Sequence, residues 1–213
     1  LLNDGIEEYD KYLNLMALRR TLHYYKEYES EYKALKWAIR LLAKKKELDS
    51  IIKTESSYDM VKSYARNYFE IDKAYRKFYY HFDNCELKEI LNNLKDTVEN
   101  LYNNWYLQEL SIKWNEALAK QKTWRIEGVN QQERFYNDNI KYGRKERVFV
   151  IISDALRYES AEELSTRLRN ERKAKVELDY MQGVLPSYTK LGMAALLPNK
   201  KIEINSNYDV LVD

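Results

Sequence analysis

For its first 142 residues the chain carries no proline and only two glycines, Gly5 and Gly128. Proline removes a helical hydrogen bond and glycine loosens the backbone, so a stretch nearly free of both can sustain long helices. Apolar and aromatic residues there recur at intervals of three and four. Met60, Tyr64, Tyr68, Ile71, Tyr75, Phe78 and Phe82 trace one stripe, the pattern of a buried helix face. A second stripe runs through Leu87, Ile90, Leu91, Leu94, Val98, Leu101 and Trp105. It either continues through Leu110, Trp114 and Leu118 or breaks near Asn103 and Asn104. Residues 6–27 and 30–53 read as two further helices, and Asp83 followed by Glu86 resembles a capping box. Residues 1–142 are expected to be almost wholly helical and to form a helical bundle.

Sixteen of the twenty tyrosines lie in this region. Rings with polar tips suit helices packed on one another where an edge reaches water, and that is the reading taken. A stacking surface for nucleic acid is the alternative, but the formal charge of +2 argues against strong binding. RRTLHYYKEY (19–28) and LLAKKKELD (41–49) are local basic patches that read as solvated helix faces. His23 and His81 stand far apart with no Cys–His cluster nearby and read as packing or surface residues rather than zinc ligands. Cys85 is the single cysteine, so no intrachain disulfide forms. No run approaches the ~18 apolar residues of a membrane span, and the N-terminus lacks the pattern of a signal peptide. A cytoplasmic location is expected.

The grammar changes at Gly143. RKERVFVIISD holds a continuous apolar run, Val148 to Ile152, short and rich in β-branched residues. Such a run reads as a buried central strand of a parallel sheet over 147–153. Residues 155–170 follow as a helix with Leu156, Leu164 and Leu168 facing inward. Val176, Leu178 and Tyr180 alternate as a second strand over about 174–180, Pro186 makes a turn, and 189–197 read as a short helix. KIEINSNYDVLVD at the end adds one strand. The expected fold class is thus α plus α/β, with a helical domain over 1–142 and the N-terminal part of an α/β domain over 143–213.

In open α/β sheets ligands bind beyond the carboxyl ends of strands, beside helix N-termini. Asp154 falls at such a point. A carboxylate there can bind a divalent cation or can simply cap the next helix, and the bare pattern leaves both open. Arg157 and Glu159 read as braces of the strand–helix junction, with a catalytic role as the alternative. Thr189 opens the helix containing Leu191, Met193, Ala194 and Leu197. Its hydroxyl can cap that helix, or it can attack a phosphoryl group held by amides and a nearby cation. Ser187 is the competing hydroxyl.

Two motifs carry a resemblance. IISDALRYE (151–159) and LPSYTKLGMAALLP (185–198) look like the start of a PglZ domain, found in phage-defence systems of the bacteriophage-exclusion (BREX) type. SYARNYFEIDKAYRKFYYHFD (63–83) and LYNNWYLQELSIKWNEAL (101–118) resemble the helical region that precedes the phosphatase domain in such proteins. PglZ resembles the wider alkaline-phosphatase superfamily, whose members carry two divalent metals and a Ser, Thr or modified Cys nucleophile. The resemblance implies that Asp154 is a strand-end metal ligand. The AALL run (194–197), set against sulfatase-like relatives, puts the nucleophile at Thr189. It implies a fragment of a metal-dependent phosphatase or phosphodiesterase acting in phage defence, with other defence proteins as partners. Its substrate would be a phosphoester, DNA phosphate included. The remaining Asp and His ligands are expected beyond Asp213, so the fragment is expected to be inactive and to hold zinc, manganese or another divalent ion poorly. An interaction scaffold within a defence complex and a DNA-binding module are the alternatives.

Overall fold

The computed structural model describes residues 8–48, 56–141 and 147–213. The chain divides into two compact units, which separate between Gln121 and Lys122.

In the first unit, α1 (Tyr9–Arg19) is followed by a single tight turn at His23–Tyr25 and by α2 (Glu29–Leu48). The expected helix over 6–27 is therefore interrupted. The Thr21 hydroxyl donates to the Leu18 carbonyl at 3.0 Å and the Leu22 amide to the Arg19 carbonyl at 3.0 Å, so α1 closes in a tightened last turn. The expected extension of α2 to residue 53 lies outside the described residues.

The next helix has its N-cap at Ser56, whose Oγ accepts the Asp59 amide at 3.1 Å. It runs as α3 (Ser57–Ser63), a wide turn at Tyr64–Tyr68 and α4 (Phe69–Phe82) without a break in helical backbone. The second stripe likewise continues rather than breaking: α5 (Lys88–Asn100) passes through a wide turn at Leu101–Leu107 into α6 (Gln108–Ala119). Asn103 and Asn104, where a break was the alternative, sit inside that wide turn.

α2 packs on α4. Ala34, Ala38 and Ala74 are small enough to let the two backbones approach, and Leu41, Ile71, Phe78 and Phe82 fill the seam. Leu91, Leu94, Val98 and Leu101 complete the core from α5 and the turn that follows it. Each large apolar side chain buried this way contributes about 1.5–3 kcal/mol.

Tyrosine hydroxyls find acceptors inside this unit. Asp72 accepts from Tyr64 at 2.6 Å and Tyr102 at 2.8 Å, and the buried Tyr106 donates to the Tyr68 carbonyl at 3.0 Å. Glu99 accepts from Tyr75 at 2.9 Å and from Tyr79. The capping box expected at Asp83 and Glu86 does not form. The amides of Glu86 and Leu87 are held instead by the buried Glu31 of α2, at 2.8 and 3.1 Å. A long-range carboxylate has replaced the local cap.

In the second unit, β1 (Asn130–Gln131) pairs in parallel with β2 (Met181–Gln182), Asn130 opposite Met181 and Gln131 opposite Gln182. β3 (Ile202–Ile204) and β4 (Val210–Val212) form an antiparallel hairpin. Among the described residues, β1 is followed by short helical turns at Gln132–Arg134 and Tyr136–Lys141, and α7 (Tyr158–Arg172) and α8 (Thr189–Leu196) come before β3.

Several expectations are corrected here. Residues 120–129 are not helical and lead into β1, so 1–142 is not almost wholly helical. Gly143 lies outside the described residues, and the units separate earlier because 124–131 bonds to the segment around β2. Trp124 Nε1 donates to the Gly183 carbonyl at 3.0 Å, and the Ile126 amide to Gln182 Oε1 at 2.9 Å.

The strands expected over 147–153 and 174–180 are absent; among the described residues the parallel pairing is the short β1–β2 contact. Phe149 and Ile151 are 79% and 92% exposed, and among these residues the apolar run has no ladder partner. Leu156, Leu164 and Leu168 are exposed too, and α7 buries Glu159 and Ser165 instead. The helix expected at 189–197 forms as α8. The chain is mostly helical, with a small parallel sheet.

Candidate functional site

Gln132 and Gln182 tie separate segments of the second unit together, and Gln132 reaches α8. Gln182 is buried; its Oε1 accepts the Ile126 amide and its Nε2 donates to the Trp124 carbonyl at 3.0 Å. Gln132 Oε1 accepts the Val184 amide at 3.0 Å, and its Nε2 donates to the Gly192 carbonyl at 3.2 Å. Gln132 thus ties the loop after β2 to the middle of α8, while Leu191 and Ala195 bury the inner face of that helix.

Tyr188, in extended backbone, occupies the N-cap of α8 and makes no side-chain cap bond. Thr189 is the first helical residue, so the reading of Thr189 as an ordinary cap is not realised. Its Oγ1 donates to Asp154 Oδ2 at 3.2 Å. A hydroxyl and a carboxylate oxygen from positions 35 residues apart in sequence meet here. Asp154 does not cap α7 either, because that helix starts at Tyr158 with Arg157 at its N-cap. The other carboxylate oxygen, Oδ1, accepts the Ala155 amide at 3.0 Å. Ala155 has φ of 51°, a left-handed conformation that is uncommon for a residue with a Cβ. Asp154 and Thr189 are exposed, as is Ser187. Of the junction residues, Glu159 is buried and Arg157 exposed.

Thr189 and Lys190 line one concavity of about 680 Å³, floored by Met193, Leu197, Val210 and Val212. Lys190 Nζ lies 3.4 Å from Asp209 Oδ1, and the Tyr188 hydroxyl donates to the Tyr208 carbonyl at 3.3 Å. The turn between β3 and β4 therefore holds the residues on both sides of Thr189. Sequence reading missed Gln132, Gln182, Lys190 and Asp209. An isolated glutamine or ion-pair member carries no periodicity or motif, and only its long-range partner reveals it.

For a divalent cation the donors fit in part. A carboxylate and a hydroxyl 3.2 Å apart can share one hard ion. Among the described residues, however, no group of three or more His, Cys, Asp and Glu side chains could hold a metal. His23 and His81 belong to the first unit, where each ring meets a neighbouring tyrosine edge-on. The basic run at 44–46 is engaged within its own unit. Lys44 reaches Glu47 at 3.0 Å and Glu70 at 2.8 Å, and Lys45 lies over the Trp105 ring. Among the described residues no helix is long and apolar enough to cross a membrane.

Residues 132–213 match the BREX system PglZ alkaline phosphatase-like domain. The chain is 46% identical over 216 aligned residues to alkaline phosphatase-like protein PglZ of Bacillus cereus (strain H3081.97), an alignment covering 100% of this chain and 25% of that protein. It is 43% identical over 185 residues to alkaline phosphatase-like protein BrxZ of Escherichia coli O9:H4 (strain HS), covering 83% of this chain and 21% of that protein. The chain spans at most a quarter of the length of these curated relatives. No solved structure matches it.

Proposed function

The chain belongs to the PglZ family of BREX phage-defence systems, and on that premise we propose that the whole protein hydrolyses phosphoesters with Thr189 as nucleophile and Asp154 as a metal ligand. The observation that supports this is the 3.2 Å contact between Thr189 Oγ1 and Asp154 Oδ2. In the free site Asp154 accepts a hydrogen bond from the Thr189 hydroxyl, which holds that hydroxyl in place. Attack forms the Thr189 O–P bond and breaks the P–O bond to the leaving group, the threonine proton passing to solvent and the departing alkoxide taking one up from solvent to leave as the alcohol. Water then cleaves the phosphothreonine and frees the site. Zinc or manganese, held by Asp154 with further ligands, would supply the charge that lowers the hydroxyl's pKa and stabilises the phosphoryl oxygens. The substrate class is a phosphomonoester or a nucleotide or nucleic-acid phosphodiester, and we place the reaction in the cytoplasm among other defence proteins.

In a full-length protein carrying this sequence, Thr189→Ala should remove turnover and any trapped phosphoenzyme, and Asp154→Ala should lower metal occupancy. Full activity in Thr189→Ala would reject the mechanism. The second reading, an interaction scaffold, draws on the exposed apolar residues of α1 and α5, Leu15, Leu18 and Ile90. Phage plating separates the two. Protection that survives Thr189→Ala favours the scaffold.

A further inference from the structure

Lys190 follows the reacting threonine directly, lines the same concavity, and is held by a single long ion pair among the described residues. The Lys190 and Asp209 side chains are 64% and 54% exposed, and an exposed pair at 3.4 Å is weakly held. Asp209 itself is fixed. Its amide donates to Asn205 Oδ1 at 2.8 Å, its carbonyl accepts the Asn205 amide at 3.0 Å, and its Oδ2 accepts from Asn205 Nδ2 at 3.3 Å. A fixed carboxylate thus holds a loosely bound ammonium on a residue that lines the same concavity as Thr189, the hydroxyl read as the nucleophile.

We propose that Lys190 is a phosphate-binding residue of this site, its ammonium exchanging Asp209 for the phosphoryl group presented to Thr189. This rests on the reading of Thr189 as the reacting hydroxyl. A phosphate dianion offers several strong acceptors to an ammonium, and bonds between such ions are shorter than the 3.4 Å of the resting pair. The exchange breaks one exposed ion pair and leaves the turn intact, because the Asn205 bonds to Asp209 and the Tyr188 bond to Tyr208 do not involve Lys190. Asp209 then acts as a competitor for the cation, setting how tightly free phosphate binds.

The test is calorimetric titration of inorganic phosphate into the full-length protein, against chloride at matched ionic strength. Lys190→Ala should weaken phosphate binding about tenfold or more, and Lys190→Arg, which keeps the charge, should stay within about threefold of wild type. Asp209→Asn, which removes the competitor, should tighten binding severalfold. Thr189→Ala should bind phosphate nearly as wild type while losing turnover. Unchanged phosphate binding in Lys190→Ala would overturn the assignment. So would Asp209→Asn weakening it as much as Lys190→Ala, since the pair would then be a clamp on the fold. Thermal melts of each variant, with Lys190→Arg as the rescue, keep misfolding from passing as lost affinity. Persistent turnover in Thr189→Ala would instead reject the nucleophile, and the phosphate titration of the Lys190 variants would still decide whether that lysine binds phosphate.

Discussion

A threonine hydroxyl has one proton to give, and at Thr189 that proton goes to Asp154 rather than to the backbone of its own helix. Residue types alone leave that choice open. Asp154 and Thr189 were each readable as helix caps, and in the structure neither caps a helix. Ser187 lies two positions earlier in the same turn, yet it has no observed bond to Asp154. On this geometry Ser187→Ala should keep activity within about threefold of wild type in a full-length protein, provided the turn survives. Mass spectrometry should map trapped phosphate to Thr189, and a phosphopeptide carrying the group on Ser187 would reverse the assignment. Asp154 and Thr189 stand out in the sequence because each sits in a dense motif. Gln132 and Asp209 do not, because a polar residue that works through one distant partner leaves no periodic trace.

The helices of the first unit were legible for the opposite reason. Their stripe of Tyr68, Ile71, Phe78 and Phe82 repeats a spacing that burial imposes, and all four are buried. The apolar run at 148–152 was misread because a strand is a property of pairing, and no described residue pairs with it. Within the helical region, the Glu99 contacts carry a measurable consequence. Partial burial works against its charged form, but hydrogen bonds from Tyr79, Tyr75 and Asn103 outweigh it and hold the carboxyl below its ordinary value of 4.5. A depressed carboxyl contributes stability that is present above the unfolded value and lost as pH falls through the folded one. Denaturation midpoints should therefore drop below about pH 4.5, and less steeply in Glu99→Gln; parallel curves would sink the idea. Burial and the Glu99 bond push Tyr75 up to about 12. A raised phenol contributes fully below its unfolded value near 10.0 and is lost as pH rises toward 12, so Tyr75 should ionise late in an ultraviolet titration.

At the scale of the whole chain, the two units differ in how much of their apolar surface is buried. The first unit joins residues from Ala34 to Tyr106 into one continuous cluster. In the second, Ile126, Val129, Leu191 and Ala195 are the buried apolar residues described, while Phe149, Ile151, Leu156 and Leu164 are exposed. Backbone ordering costs about 1–2 kcal/mol per residue, so a unit that buries few apolar side chains depends on bonds such as those of Gln132 and Gln182, or on further surface to pack against. Residues 1–121 alone should thus unfold cooperatively in urea with helical circular dichroism. Residues 122–213 alone should melt broadly and bind an apolar dye. The 213 residues together should not hydrolyse a generic phosphoester at enzyme-like rates, because among the described residues one aspartate and one hydroxyl meet where a divalent ion needs more ligands. Metal-stimulated turnover by these residues, lost on Asp154→Ala, would overturn that expectation. A sharp melt for 122–213 would show that its polar ties hold the unit without further cover.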